Sequence, residues 1–202
     1  MKVELEDVMF WMDAIRDSSN RYRTLESFWK GQLRSKVWLI ENLEQVLSAH
    51  YNKKTVSIYG GWNGVLASLI FNSNINIARI TSIDIDPACE DTAITINRRY
   101  NLEGKFTAIT ADMVTITNES ADIVINTSCE HITQEQYNIW LNNQPEDALF
   151  VLQSNNYYDL EEHINCSKDI DDFLSKSNLK PLYCGSLELP LYNRFMLIGR
   201  KG

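Results

Sequence analysis

The chain has 202 residues, a formal net charge of −8 at pH 7 and 44% hydrophobic residues, which fits one domain with a modest extension. The acidic balance makes nucleic acid an unexpected partner, because a surface dedicated to DNA or RNA usually carries a basic face. No apolar run is long enough to span a bilayer and the N-terminus lacks a secretory pattern, so we expect a soluble, cytoplasmic protein without membrane contact.

The segment before Lys54 predicts helices and no strand. Its first helix carries apolar residues at helical spacing, namely Leu5, Val8, Met9, Met12 and Ile15. The polar run 18–20 interrupts this pattern. Two further helical stretches carry Leu25, Phe28 and Trp29, then Val37, Ile40, Leu43 and Leu47. We therefore predict a helical N-terminal cap or lid over residues 1–53.

From Lys54 onward, β-rich runs alternate with helical stretches. Strands are predicted over residues 55–59, 80–84, 105–110, 121–126 and 148–153. Two more strand-like runs, 182–187 and 194–199, are joined by a short link containing Pro190, which indicates a hairpin. This alternation predicts an α/β domain over residues 54–202, with a mostly parallel sheet that is covered on both faces and has one antiparallel edge.

A glycine-rich turn and a later acid are the most informative pair of features. The run from Val56 to Gly64 predicts a buried strand that enters a glycine-rich turn. The next predicted strand ends at Asp84, about twenty residues after the last glycine, the interval that places a carboxylate on a nucleotide ribose in a βαβ unit. Together they predict a nucleoside-containing cofactor at the carboxyl ends of a parallel sheet.

These residues resemble the class I S-adenosylmethionine-dependent methyltransferases over roughly residues 54–202. The resemblance implies a Rossmann-like three-layer sandwich, a seven-stranded sheet with an antiparallel last strand, and S-adenosyl-L-methionine as the cofactor. It implies that Asp84 holds the ribose hydroxyls and that Asp112, after the third strand, approaches the adenine amino group. Asp122 with the apolar run 123–125 matches the fourth-strand motif of the family.

The cofactor-binding residues implied by this resemblance are Tyr59, Gly60, Gly61, Trp62, Gly64, Asp84, Asp112, Met113 and Asn126. Two positions depart from the family pattern, since Ile58 stands where an acid is usual and Trp62 stands at the middle glycine. The indole of Trp62 could stack on the methionine end of the cofactor or wall it off, or it could mark an altered site. Asp86 fits better as a helix cap before Pro87 than as a ligand contact.

Polar and ionisable residues fill positions 126–131, directly after the fourth predicted strand, where ligand sites of open α/β sheets collect. Asn126 could hold a substrate hydroxyl or amine, and Glu130 or His131 could take a proton from a methyl acceptor. A solvated loop histidine is the alternative for His131. We expect no metal site, because Cys129, Glu130 and His131 are consecutive and such side chains rarely converge on one ion. The four cysteines form no C-x-x-C pair, so we expect free thiols.

Six residues make the N-terminal segment locally basic: Arg16, Arg21, Arg23, Lys30, Arg34 and Lys36. Their default place is a solvated helix face, but they could meet an anionic substrate or the cofactor carboxylate. A polar loop, 154–158, follows the fifth predicted strand and offers candidate substrate contacts.

These features together predict methyl transfer from S-adenosylmethionine to a small molecule or to an acceptor that the sequence does not define. One alternative is another use of the same cofactor, by aminocarboxypropyl transfer or cofactor cleavage. A second is a non-catalytic binding protein with the same fold. A nicotinamide dehydrogenase is disfavoured because the chain lacks a G-x-G-x-x-G motif. The oligomeric state is left open.

Overall fold

Helices flank a central sheet in the computed structural model, which describes residues 1–47, 52–117 and 120–202. In these ranges the helices are α1 (Leu5–Asp17), α2 (Arg21–Glu26), α3 (Lys30–Leu47), α4 (Val65–Phe71), α5 (Glu90–Ile96), α6 (Arg98–Leu102), α7 (Gln134–Asn142) and α8 (Ile170–Ser177). The strands in the same ranges are β1 (Lys54–Tyr59), β2 (Ile77–Asp84), β3 (Phe106–Thr110), β4 (Ile123–Asn126), β5 (Leu149–Asn155), β6 (Leu179–Glu188) and β7 (Asn193–Lys201). The predicted alternation of strands and helices after Lys54 is confirmed.

The strands form one sheet, which in the described residues has seven strands in the order β3-β2-β1-β4-β5-β7-β6. Strands β1 to β5 pair in parallel. By contrast, β7 is antiparallel to both β5 and β6. The predicted fold class, a Rossmann-like sandwich with a mostly parallel sheet and an antiparallel terminal hairpin, is confirmed.

Two hydrophobic cores lie on opposite faces of this sheet. Successive side chains of a strand point to opposite faces, so Ile123 and Ile125 of β4 pack with residues of α3, α4 and α5. Val124, between them, packs with residues of α7 and α8. Strands buried on both faces are near-continuous apolar runs, which is why the central strands could be predicted from the sequence.

Helix α1 presents a different face to the protein than its apolar pattern predicts. Three residues of the predicted stripe are more than half exposed: Leu5, Met9 and Met12. The buried side carries Asp7, which is 1% exposed and accepts a hydrogen bond from the Tyr100 hydroxyl at 3.4 Å. On α1, Trp11 donates from Nε1 to Ser68 Oγ at 2.9 Å. The same face carries Ala14 and Trp11, which pack in the core beside these polar contacts with α4 and α6.

Helix α2 is shorter than predicted. It ends at Glu26, so Phe28 and Trp29 lie in the turn before α3 rather than in the helix expected for them. Trp29 is 71% exposed there.

Two expectations from composition can be compared with the structure. All four cysteines are free, as predicted, with Cys184 exposed and the others buried. Within the described ranges, none of the helices combines the length and the apolar character required to cross a bilayer.

Candidate functional site

Polar loops gather at the carboxyl ends of the parallel strands. A cavity of about 1000 Å³ opens there in the described part of the chain. Its wall is built from the turn after β1, the loops after β2 to β5, the start of β7 and side chains of α2 and α3. Ligand sites of open α/β sheets lie at this edge, beside the strand where the strand order reverses. That strand is β1, which pairs with β2 on one side and β4 on the other.

The turn after β1 brings bare backbone to the cavity because two of its positions have no room for a side chain. A Cβ at Gly60 would lie 2.3 Å from the Ser128 hydroxyl oxygen, and one at Gly61 would lie 2.0 Å from the Ser82 hydroxyl oxygen. Gly60 also has a φ of +64°, where glycine is favoured. A side chain at Gly60 would also meet Ser128 Cβ at 2.7 Å, and one at Gly61 would require the Ser82 hydroxyl to move, so glycine is favoured at both positions.

Trp62 adopts a left-handed backbone conformation, with a φ of +48°, that large side chains avoid. Its N–H donates to Asp84 Oδ2 at 2.7 Å, and this bond helps to hold the conformation. The turn thus holds a tryptophan in a conformation that a glycine would adopt freely. Strained backbone of this kind concentrates at ligand sites, and the half-buried Trp62 lies on the cavity wall.

Removing the indole with glycine should leave a more stable protein than removing it with alanine. Trp62→Gly and Trp62→Ala lose the same side chain, but only glycine adopts this φ without steric cost. We expect the free energy of unfolding, measured with urea, to be about 1 kcal/mol higher for Trp62→Gly. This reverses the usual order of the two residues. Equal values would contradict the prediction, because the turn would then relax when the indole is absent.

The carboxylate of Asp84 ends β2 directly beside this turn. Besides the Trp62 N–H at Oδ2, it accepts the Asp86 N–H at Oδ1 at 3.0 Å. A carboxylate offers about four acceptor positions, so these two bonds leave capacity for hydroxyl donors. Asp86 accepts the Ala88 N–H at 2.9 Å, which confirms its predicted capping role. It also pairs with Arg23 of α2 at 2.5 Å, and both contacts lower the pKa of the Asp86 carboxyl.

The other predicted cofactor residues divide between the cavity wall and the core beneath it. Asp112 and Met113 lie on the wall, and Asp112 Oδ1 also accepts the Val114 N–H at 2.8 Å. Tyr59 and Asn126 are fully buried, while Gly64 precedes α4. The predicted residues that the structure brings to the wall are Gly60, Gly61, Trp62, Asp84, Asp112 and Met113. Tyr59 and Asn126 are not among the wall residues: the Tyr59 hydroxyl donates to Gln144 Oε1 at 2.8 Å, and Asn126 Oδ1 accepts the Ser128 N–H at 2.9 Å.

Glu130 forms a buried, paired corner of the wall after β4. It is 2% exposed, and its Oε1 accepts hydrogen bonds from Arg194 Nη1 at 2.5 Å and from Asn155 Nδ2 at 2.6 Å. Arg194, whose side chain is 12% exposed, also donates to the Thr127 carbonyl. Our sequence reasoning did not identify Arg194. The only feature of the sequence that pointed to Arg194 was its place at the start of the apolar run of β7.

Two histidines lie beside Glu130. His131 is exposed on the wall, and its ring meets that of His163 with centroids 4.7 Å apart and planes at 82°. The sequence did not suggest His163, which lies in the loop between β5 and α8. Its Nδ1 is 2.7 Å from the Tyr157 carbonyl oxygen. Tyr157 and Asn155 bring the predicted polar loop 154–158 to the cavity.

Lys36 of α3 is one of the six basic residues noted in the sequence, and it lies on the cavity wall. Its Nζ donates to Gln32 Oε1 at 2.8 Å. Loss of hydration, with a further contribution from the charge of Arg194, lowers the pKa of the Lys36 ammonium to about 7. A bound carboxylate would favour the charged form again, so Lys36 suits the anionic group of a ligand.

Replacing Lys36 with methionine should stabilise the protein at neutral pH and lose this advantage as the pH rises. The pKa of Lys36 is about 7 in the folded state and about 10.4 in an unfolded chain. Between these values the unfolded state binds more protons, so the wild-type protein gains stability as the pH increases. The difference in free energy of unfolding between Lys36→Met and the wild-type protein should shrink by at most about 1.4 kcal/mol for each unit of rising pH. Urea titrations at several pH values measure it.

Lys30→Met is the matched control for that prediction, because it changes an exposed lysine of the same helix. The lowered pKa of Lys36 would be contradicted if the stability difference between Lys36→Met and the wild-type protein changed with pH no more than the difference for Lys30→Met.

The chain matches no protein-family model and no curated protein, but solved structures resemble it. Magnesium protoporphyrin IX methyltransferase (ChlM) from Synechocystis PCC 6803, with bound S-adenosylmethionine, is 15% identical, with a TM-score of 0.68 over 96% of this chain and 91% of that one. A mutant of MtNAS in complex with S-adenosylmethionine is 14% identical, with a TM-score of 0.61 over 97% of this chain and 72% of that one. N-methyltransferase NodS from Bradyrhizobium japonicum WM9 is 12% identical, with a TM-score of 0.63 over 84% of this chain and 96% of that one.

At such identities the likeness shows the fold. The protein has the fold of the class I S-adenosylmethionine-dependent methyltransferases, including the antiparallel last strand of the sheet. The resemblance noted in the sequence is thereby confirmed at the level of the fold.

Proposed function

We propose that the protein transfers a methyl group from S-adenosylmethionine to a small-molecule acceptor. The observation that carries the proposal is the 2.7 Å hydrogen bond between the Trp62 N–H and Asp84 Oδ2, which joins the glycine turn to the acid at the end of β2. Both parts of the predicted nucleoside site line one cavity. Its volume of about 1000 Å³ is at the upper end for a single ligand, so an acceptor has room beside the cofactor.

The residues on the wall fit the cofactor. Gly60 and Gly61 lie on the cavity wall and carry no side chain, so a ligand can approach their backbone closely. Asp84 has acceptor capacity for the two ribose hydroxyls, and such bonds to a charged acceptor are among the stronger hydrogen bonds. Asp112 and Met113 would lie at the adenine. Lys36 would hold the carboxylate of the methionine end.

The chemistry at the acceptor end depends on Glu130 and its neighbours. S-adenosylmethionine, when bound, supplies a methyl group on a positively charged sulfur that is already activated for displacement. The protein has to position the acceptor, exclude water and remove a proton where the acceptor carries one. Arg194 and Asn155 both donate hydrogen bonds to one oxygen of Glu130. We therefore assign Glu130 the role of orienting the acceptor. His131 is the proposed base. Asn126 supports the same loop by accepting the Ser128 N–H at 2.9 Å.

We also propose that residues 1–53 act as a lid that selects the acceptor. Helices α2 and α3 contribute Arg23, Gln32 and Lys36 to the cavity wall. The ion pair between Arg23 and Asp86 fastens α2 to the loop after β2. Residues 48–51 of this segment lie outside the described ranges.

Isothermal titration calorimetry with S-adenosylmethionine and S-adenosylhomocysteine tests the cofactor. We expect both to bind at one site per chain, since the adenosine they share makes the contacts with the turn and Asp84. No binding of either compound at high micromolar concentration would overturn the proposal.

Mass spectrometry after incubation with S-adenosylmethionine and a metabolite extract tests the reaction. Release of S-adenosylhomocysteine together with a methylated product is the expected result. Release of methylthioadenosine would instead identify aminocarboxypropyl transfer or cofactor cleavage. Binding without turnover of any extract component would favour the non-catalytic alternative.

A further inference from the structure

Three side chains with metal-binding groups converge on the cavity wall. Glu130 and His131 follow β4, and His163 is supplied by the loop after β5. One carboxylate oxygen of Glu130 and one nitrogen of each ring all lie within 4.8 Å of one another. The sequence suggested no metal site, because Cys129, Glu130 and His131 are consecutive. In the fold, His163 from a distant loop joins Glu130 and His131 instead.

The second oxygen of Glu130 has no hydrogen-bond partner. Oε1 accepts from both Arg194 and Asn155, whereas Oε2 is buried and accepts from no described residue. Leaving a buried acceptor unpaired costs about 1–3 kcal/mol, and more when the group is charged. An ion or another donor at this oxygen would remove that cost in a side chain that is 98% buried.

The residues around the cluster hold its members in place. Asn155 donates to Glu130 from Nδ2 and accepts the Tyr157 N–H with Oδ1 at 2.8 Å. The Tyr157 carbonyl in turn lies 2.7 Å from His163 Nδ1. A carbonyl that accepts from one ring nitrogen leaves the other nitrogen with a lone pair, which is the arrangement common behind metal-ligating histidines.

We propose that Glu130, His131 and His163 form a binding site for a divalent transition metal of the zinc class. Two imidazoles and one carboxylate are a donor set that Zn²⁺ and similar ions prefer, whereas Mg²⁺ and Ca²⁺ prefer oxygen donors. Ligands about 2.1 Å from a tetrahedral Zn²⁺ lie about 3.4 Å apart. Because the three atoms lie within 4.8 Å of one another, the cluster must close by up to about 1.4 Å, which the exposed His131 can do by rotating its side chain.

Charges of both signs lie near the cluster. Arg194 pairs with Glu130 through Oε1 and lowers the attraction of this carboxylate for a cation, whereas the carboxylate of Glu162 on the same wall raises it. Because all three ligands line the cavity, the open coordination positions would face the acceptor end. This last consequence rests on the proposed function. A bound metal would make His131 a ligand instead of a base. The acceptor would then be a molecule with a metal-binding oxygen or nitrogen.

Calorimetric titration of the full chain with Zn²⁺, without any cofactor, tests the site. We expect one Zn²⁺ per chain and a loss of affinity of at least about tenfold in His163→Ala and in His131→Ala. Titration with Co²⁺ should give visible absorption that both variants lose. Mg²⁺ should bind weakly or not at all. Thermal unfolding without metal checks that the variants are folded.

Two controls separate this site from adventitious binding. Glu161→Gln changes an exposed carboxylate in the same loop and should bind Zn²⁺ as the wild-type protein does. Cys184→Ser removes the exposed thiol and should also leave binding intact. Absence of saturable Zn²⁺ binding, unchanged binding in both histidine variants, or loss of binding in Cys184→Ser would each overturn the proposal. Since no S-adenosylmethionine is present, such a failure is distinct from a failure of the proposed methyl transfer.

Discussion

Replacing Asp84 with alanine is expected to weaken the binding of S-adenosylmethionine by at least about tenfold, because hydrogen bonds to a charged acceptor contribute about 1.5–3 kcal/mol. Calorimetric titration of the variant gives the dissociation constant directly. Asp84→Asn separates charge from shape. It keeps an oxygen for the Trp62 N–H and loses the negative charge, so we expect an affinity between those of the wild-type protein and Asp84→Ala.

Asp122→Asn is the matched control. Asp122 lies at the amino edge of the sheet, where Oδ2 accepts the Thr55 N–H at 2.7 Å and the Thr55 hydroxyl at 2.8 Å. This variant should lose some stability and keep its affinity for the cofactor. Unchanged affinity in Asp84→Ala would remove Asp84 from the site. Equal losses in Asp84→Ala and Asp122→Asn would mean that the measurement reports stability and not contact with the ligand.

Arg194→Leu is expected to lower the free energy of unfolding by about 3–5 kcal/mol, because it leaves a buried charge without its partner. The carboxylate concerned belongs to Glu130, which is 2% exposed and accepts from Arg194 Nη1 at 2.5 Å. Urea denaturation of the two proteins gives the difference.

A double variant distinguishes a lost ion pair from lost packing. Removing both charges in Glu130→Leu with Arg194→Leu should recover most of the stability, since replacing a buried pair by apolar residues is often nearly neutral. A loss below about 1 kcal/mol in Arg194→Leu alone, the value typical of exposed pairs, would contradict the buried arrangement. So would a double variant that is less stable than the single one.

Much of the fold could be predicted because its signals are local. The central strands are buried on both faces and therefore form apolar runs, as in residues 123–125 of β4. The turn at Gly60 and the acid Asp84 are close in sequence and belong to one βαβ unit, so their spacing alone places them together. From these features we could predict the sheet, the order of its strands and helices along the chain, and the side of the cavity that Gly60 and Asp84 form.

The side of the cavity around Glu130 could not be predicted in the same way. Glu130 meets Arg194 across 64 positions of the chain, and His163 comes from an irregular loop whose pattern has no period. The inward face of α1 was missed for a related reason, because Asp7, Trp11 and Ala14 on that face contact residues that are distant in sequence. Such contacts depend on which elements the tertiary fold brings together.

The position of Arg194 has a consequence for the order in which the molecule matures. Ribosomes release the chain from its N-terminal end, so Glu130 emerges well before the strand that carries its cation. Until β7 has been synthesised and inserted between β5 and β6, the Glu130 carboxylate lacks the cation that neutralises it in the folded protein. The corner around Glu130 is therefore completed only by a residue that is synthesised 64 positions later.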